Sequence, residues 1–392
     1  MRRCDVRSCE ITLALQHLHG IVAPAVALCT CTEPAARAAS QGDARMDQLD
    51  KLLETHRRVV EEGFRKDPTD LRYKKYAIST LRGGVGKSTL SFNLTYELAR
   101  LHSVLAADVC AQMNLTETLL EDDLDVQVDI VKALEPVLLG PAFGIAPSDV
   151  TYRISRYCDA FKGVQPAWIV PGSAEMFAFP SQLYQQLQTA HSQQRPDAVN
   201  SLLGALESVL EKQAADVGAD VIVMDTSPFY SGGTHLAWCA ADAIIIPVRV
   251  DEHSLDSLEL TLRMLTDPHK DFQMWNDRAH GRSTPKVAAI VMTMVGSKSR
   301  IRSTPDRASR MYIERAIEIA NRYPQVFDTS DPVDSIVVTD DFMSSGRISG
   351  AKGTPIANLK VGSFHTVEGK RLQVNASVTR YQNELAYLTS IL

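Results

Sequence analysis

The sequence predicts a doubly wound α/β domain with a mostly parallel sheet. Short, fully apolar runs alternate with helical stretches, a glycine-rich loop joins the first such pair, and two later runs end in aspartate. Apolar runs of this kind suit strands buried on both faces, and their alternation with helices implies parallel crossovers. With 392 residues, 45% apolar and 22% charged, the chain has the composition of a globular protein with a substantial core.

Residues 1–45 carry a basic start and an apolar stretch broken by His17, His19 and Pro24. They read as a poorly ordered extension or a start assigned too early, with Met46 opening the organised chain. Cys4, Cys9, Cys29 and Cys31 fit no zinc spacing, and Cys110, Cys158 and Cys239 are scattered as in a reduced cytoplasmic protein. From Met46, "MDQLDKLLETHRRVVEEGF" spaces Leu49, Leu52, Leu53, Val59 and Val60 on one helical face, an amphipathic helix within 46–74. The main domain then runs over 75–392. No run approaches the ~20 apolar residues of a membrane span.

"KKYAIST" supplies the first strand, feeding residues 81–88. Further strands are expected at 104–108, 167–172, 220–225, 243–248, 286–293 and 335–338. Helices are expected at 88–101, 197–216, 253–266 and 304–322. The acidic stretch Glu117, Glu121, Asp122, Asp123 and Asp125 reads as a solvated face, and 117–200 is otherwise hard to read.

In "RGGVGKST", Gly83, Gly84 and Gly86 let successive backbone N–H groups face phosphate oxygens. Val85 completes the loop, and Thr89 follows on the helix. Lys87 suits β and γ phosphates, and the Ser88 hydroxyl suits Mg²⁺. "VIVMDTSP" ends an apolar strand in Asp225, placed to hold the magnesium through water; a helix cap is the bland alternative. The expected cofactors are ATP and Mg²⁺.

"RGGVGKST", "ADVCAQMNLT", "VIVMDTSP" and "ADAIIIPVRVDEHSLDSLEL", in order, resemble the ParA/MinD group of P-loop ATPases with a deviant Walker A loop, of the ParA partitioning type. The match covers roughly 75–300. The resemblance implies an ATP-bound homodimer that binds DNA non-specifically and a ParB-like partner that stimulates hydrolysis. It implies a cytoplasmic, nucleoid-associated switch for partitioning or cargo positioning. Asp108 takes the first aspartate of D-x-D-P-Q, Gln112 and Asn114 its glutamine and asparagine, and Pro228 the second proline of D-x-P-P.

Two departures touch the chemistry. Arg82 stands where the family has the lysine that reaches the partner's phosphates; a guanidinium can supply that charge with a different shape. Cys110 stands where the family has a water-positioning aspartate, so hydrolysis is expected to be slow. Asp108, two residues earlier and on the same strand face, is a candidate contributor beside the catalytic candidates Arg82 and Lys87. A dimeric scaffold that binds ATP and scarcely hydrolyses it is therefore the rival reading. A related reductase is disfavoured, because Cys158 and Cys239 sit in no glycine-rich context.

The net charge of −6 excludes a global field for nucleic acid, so DNA contacts are expected from Lys298, Arg300, Arg302, Arg307 and Arg310. The tail "ASVTRYQNELAYLTSIL" reads as a core-packing helix rather than a basic membrane anchor.

Overall fold

Eight strands line up in the order β3-β4-β2-β5-β1-β6-β7-β8, all parallel except the edge pair β3–β4. A computed structural model describes residues 33–67, 70–120, 126–140, 145–296 and 304–392. Cys4, Cys9, Cys29, Cys31, the acids at 121–125, and Lys298, Arg300 and Arg302 lie outside the described residues. Residues Ala44–Leu392 form one compact unit, which holds the whole sheet.

The strands are β1 (Lys75–Ile78), β2 (Val104–Asp108), β3 (Tyr152–Arg153), β4 (Ala167–Val170), β5 (Val221–Asp225), β6 (Ala243–Arg249), β7 (Lys286–Val295) and β8 (Ile336–Asp340). Alternate residues feed two cores, one per face. Leu105, Ala107, Ile222, Met224 and Ile244 enter one; Val104, Ala106, Val221, Val223 and Ile245 enter the other. That two-sided burial is why these strands are apolar at every position.

Helices cover both faces: α1 (Glu33–Glu62), α2 (Lys87–Ala99), α3 (Asn114–Leu120), α4 (Ile130–Leu139), α5 (Phe179–Ser192), α6 (Pro196–Leu203), α7 (Ala205–Val217), α8 (Gly232–Ala240), α9 (Glu252–Thr266), α10 (Asp271–Arg278), α11 (Arg307–Asn321), α12 (Met343–Lys352) and α13 (Val378–Ser390). The single helix expected over 197–216 is two. Gly204 breaks it where a Cβ would meet Arg282 Nη1 at 3.0 Å and the Asn200 carbonyl at 3.2 Å, so Arg282 fills the space a side chain would need. Among the described residues, no helix is long and apolar enough to cross a membrane. α13 buries Val378, Tyr381, Leu385 and Leu388 against the domain.

The ribbon formed by β9 (Phe364–Val367) and β10 (Lys370–Gln373) lies outside the main sheet, and the sequence did not suggest it. Glu368 and Gly369 both have positive φ (49° and 73°), as the tight two-residue turn of a twisted hairpin requires.

α1, β8 and α13 meet at a buried polar junction. Arg380 Nη2 lies 2.9 Å from Asp340, whose backbone N–H donates to Glu384 at 3.0 Å, and His56 stands 4.0 Å from Glu384. Burial pushes His56 down to about 4 and raises Glu384 well above the usual carboxylate range.

A second buried histidine yields a pH prediction. His235 is enclosed by Tyr184, Tyr230 and Phe272, and the Tyr184 hydroxyl lies 3.2 Å from its Nδ1. Burial, followed by the charge of Arg282, lowers its pKa from 6.5 to about 3. The neutral ring's contribution is thus complete above pH 6.5 and is lost as pH falls toward 3, at about 1 kcal/mol per pH unit. His235→Phe should lose less stability than the wild type between pH 6.5 and 4.5 in denaturant titrations. Parallel losses in both proteins would refute this assignment.

Candidate functional site

Three neighbouring strands deliver the site. β1, β5 and β2 are paired so that Ile78 faces Asp225 and Asp225 faces Asp108, at the carboxyl ends where ligands of such sheets collect. The loop after β1 enters α2 through Gly84 and Gly86, with φ of 73° and 88°. A Cβ on either would meet nothing within 4 Å, so it is backbone conformation that demands glycine, and the concavity before them is open. No side chain caps the N-terminus of α2, which leaves its first N–H groups and the positive end of its dipole for an anion. Gly83 and Gly84 are exposed, Val85 is buried, and Thr89 is partly buried on the first turn.

Lys87 is buried, and its Nζ donates to the Arg82 carbonyl at 3.0 Å, folding over the loop. Burial lowers its pKa, while the nearby Asp225 opposes that shift. The Ser88 hydroxyl donates to Asp225 Oδ2 at 2.8 Å and the Ser91 hydroxyl to Oδ1 at 2.7 Å. This joins the two groups that the sequence nominated for Mg²⁺. Ser91 is an addition to the set; it lies three residues beyond Ser88 and so on the same helical face, the one signal that could have found it. The donor set of hydroxyl and carboxylate oxygens suits a hard cation.

Asp108 and Asp225 are both fully buried on adjacent strands. Burial and the charge of Asp225 push Asp108 up to about 7. Asp225, also raised by burial, has Ser91, Ser88 and Lys87 to hold its charge. Asp108 also accepts from the Cys110 N–H at 3.0 Å and from the Thr116 N–H and hydroxyl at 2.9 and 2.8 Å. Asp108 is fully buried, and both its oxygens accept hydrogen bonds from the chain. Strand periodicity does not carry over to Cys110, because β2 ends at Asp108 and Cys110 lies beyond it. Asp108 shapes the turn that carries Cys110.

Cys110 is 4% exposed, and burial raises its thiol pKa, so the group is neutral where the family has a carboxylate. Gln112 is exposed on the following turn and Asn114 at the start of α3, with Met113 between them at a φ of 53°. Pro228 lies against Gly83.

Arg82 is half-buried, and its Nη2 lies 3.4 Å from Asp251. Asp251 also caps α9 through the Ser254 N–H at 2.9 Å and faces Arg249 Nε at 3.5 Å. Nothing in the sequence marks this pairing, which joins residues far apart in the chain. Beside the loop, a cavity of about 700 Å³ runs from Gly86 and Thr89 to Met294 at the end of β7 and Phe342 beyond β8. A larger concavity of about 860 Å³, between α3 and α12, shares no residue with the loop.

Of the proposed DNA contacts, Arg307 and Arg310 open α11. Arg310 stands 3.9 Å from Asp50, and further along the helix Arg315 pairs with Glu252 and Arg322 with Glu259.

A family model for an AAA domain (AAA_31) matches residues 73–274, just over half of the chain. No curated protein matches the sequence. Among solved structures, an ATP complex of a McdA variant from Cyanothece superposes with a TM-score of 0.54 at 17% identity, over 74% of this chain and 90% of that one. Apo McdA gives 0.53 at 17% identity over 72% and 91%. Protein DIP2308 from Corynebacterium diphtheriae gives 0.51 at 15% identity over 68% and 91%. At these identities the likeness is one of fold. The family match, the deviant loop and the sheet order agree: the chain belongs to the AAA-domain family matched here, and within it to the ParA/MinD type of P-loop ATPases.

Proposed function

We propose that this chain binds ATP with Mg²⁺ at Gly83–Thr89 and works as a ParA-type switch for partitioning DNA or positioning another cargo. The observation that carries the reading is the Ser88–Asp225–Ser91 contact beneath the uncapped N-terminus of α2. The loop amides and Lys87 would hold phosphate, Ser88 would ligate Mg²⁺, and Asp225 would hold the ion through water. When bound, Mg²⁺ neutralises phosphate charge and fixes phosphate geometry. The cavity beside Thr89 has room for the base and ribose. The ATP complex of the McdA variant supports this choice of ligand.

Cys110 favours a second form of the reading, in which ATP is held and hydrolysed slowly. A neutral thiol accepts poorly from water, and Asp108 is fully buried with both oxygens already accepting from the chain. A stimulating partner of ParB type and non-specific DNA complete the proposal, with the region 298–310 as the contact nominated from sequence.

Dimerisation tests it. In the single chain Arg82 rests on Asp251. A γ phosphate presented by a second copy would draw the guanidinium across, because a bidentate phosphate contact outweighs a half-exposed pair 3.4 Å apart. Light scattering should give a monomer in the apo and ADP states and a dimer with Mg²⁺ and ATP. One mass in all three states would overturn the switch.

A further inference from the structure

Among the described residues, one set of three metal-ligating side chains comes together, and none of the three belongs to the phosphate loop. His56 of α1, Asp340 at the end of β8 and Glu384 of α13 bring a ring nitrogen and two carboxylate oxygens within 4.8 Å of one another. All three are buried, at 4%, 5% and 0% exposed. They come from three separate elements, so no local turn or cap accounts for the meeting.

The decisive atom is Glu384 Oε1. Its sister Oε2 accepts from the Asp340 N–H at 3.0 Å, whereas Oε1 is buried with no hydrogen-bond partner. A buried carboxylate oxygen with neither donor nor cation is costly and rare. His56 Nε2 stands 4.0 Å from it, too far for a hydrogen bond. Arg380 spends its Nη2 on Asp340 at 2.9 Å, not on Glu384. The His56 ring also hydrogen-bonds the Val338 carbonyl. A backbone carbonyl that takes one ring N–H is what orients histidine in metal sites.

We infer that His56, Asp340 and Glu384 bind a divalent transition-metal ion of the zinc type, which ties α1 and α13 to the end of β8. One imidazole and two carboxylates are zinc ligands, held 2.0–2.2 Å from the ion. Around a tetrahedral ion such atoms stand about 3.4 Å apart, so closing on it takes about 1 Å of side-chain movement. Mg²⁺ is a poor match, because it asks for oxygen ligands in near-ideal octahedral geometry. Two carboxylates face one guanidinium here, which leaves one carboxylate charge for the ion to meet. Asp340 also lines the cavity beside Gly86 and Thr89. That cavity gives the ion a way in and a water the fourth position.

The test uses the full-length protein, stripped with a chelator and kept in Mg²⁺ without nucleotide. Zinc titrated in competition with a chromophoric chelator should reveal one equivalent that His56→Ala and Glu384→Gln each weaken about tenfold or more. Zinc at a hundredfold excess over its Kd should raise the wild-type melting temperature on the order of 5 °C and leave both variants unmoved. Glu384→Gln keeps the shape of the side chain, so it guards against a His56→Ala variant that merely unfolds; circular dichroism checks both. Co²⁺ in place of zinc should give the visible bands of nitrogen and oxygen ligation without thiolate charge transfer. That signature separates this site from any zinc held by Cys4, Cys9, Cys29 and Cys31. Equal zinc binding in the wild type and both variants, or a cobalt spectrum from thiolates alone, would overturn the proposal. So would a wild type that takes up no zinc, which would mean that Glu384 and His56 share a proton instead. ATP has no part in these readings, so the nucleotide switch stands or falls separately.

Discussion

Lys87→Ala should leave the protein folded and cost about 100-fold or more in ATP affinity. Lys87 Nζ makes one internal hydrogen bond, to the Arg82 carbonyl, so the apo fold has little to lose. The bound state has much more. Hydrogen bonds to charged groups contribute about 1.5–3 kcal/mol each, and an ammonium between two phosphates makes more than one. Removing it also strips Asp225 of its nearest cation, beside a buried second carboxyl, so the anionic site is left less compensated than before. Titration calorimetry with ATP and Mg²⁺ reads the loss, and a melting curve confirms the fold. Unchanged affinity would remove the loop from the nucleotide site.

That site is legible in the sequence as a list of residues before it is legible as a mechanism. The strand ends can be read because a strand buried on both faces must be apolar throughout and must stop at a polar residue. Val104–Asp108 falls where expected, and Val221–Asp225 is one residue shorter at its start. The ribbon cannot be read in this way. Its two strands have four residues each and one face in solvent, so no apolar run marks them. Gly204, where α6 gives way to α7, sits beside Arg282, which approaches from a distant part of the chain. The same holds for Arg82: its own loop predicts a free cation, and its partner Asp251 comes from the cap of α9, on the far side of β6 in sequence. Asp108 is a third case. Strand periodicity stops with the strand, and two residues further on the chain already turns and uses the aspartate as an acceptor.

Cys110→Asp should raise ATP turnover by about 10²-fold, toward the ~10²–10⁴ that a positioned general base contributes. Cys110 follows the end of β2, close enough to Lys87, Asp108 and Asp225 for their charges to bear on one another. The thiol is wrong, because burial holds it protonated and a neutral thiol accepts weakly from water. A third carboxyl beside Asp108 and Asp225 has a cost. Without ligand it should take up a proton or destabilise the fold, since two buried acids already compete there. Lys87 and a bound Mg²⁺ offset that charge, so the variant should melt lower than the wild type when apo and gain more from ATP. Phosphate release at saturating ATP measures the chemistry separately from affinity. A faster variant with Arg82 unchanged means that the guanidinium substitutes for the family's lysine and that Cys110 alone restrains turnover. A gain only when Arg82→Lys accompanies Cys110→Asp means that the two positions act as a unit. If the wild type already turns over as fast as the double variant, Asp108 or another carboxylate serves the water, and slow hydrolysis is wrong.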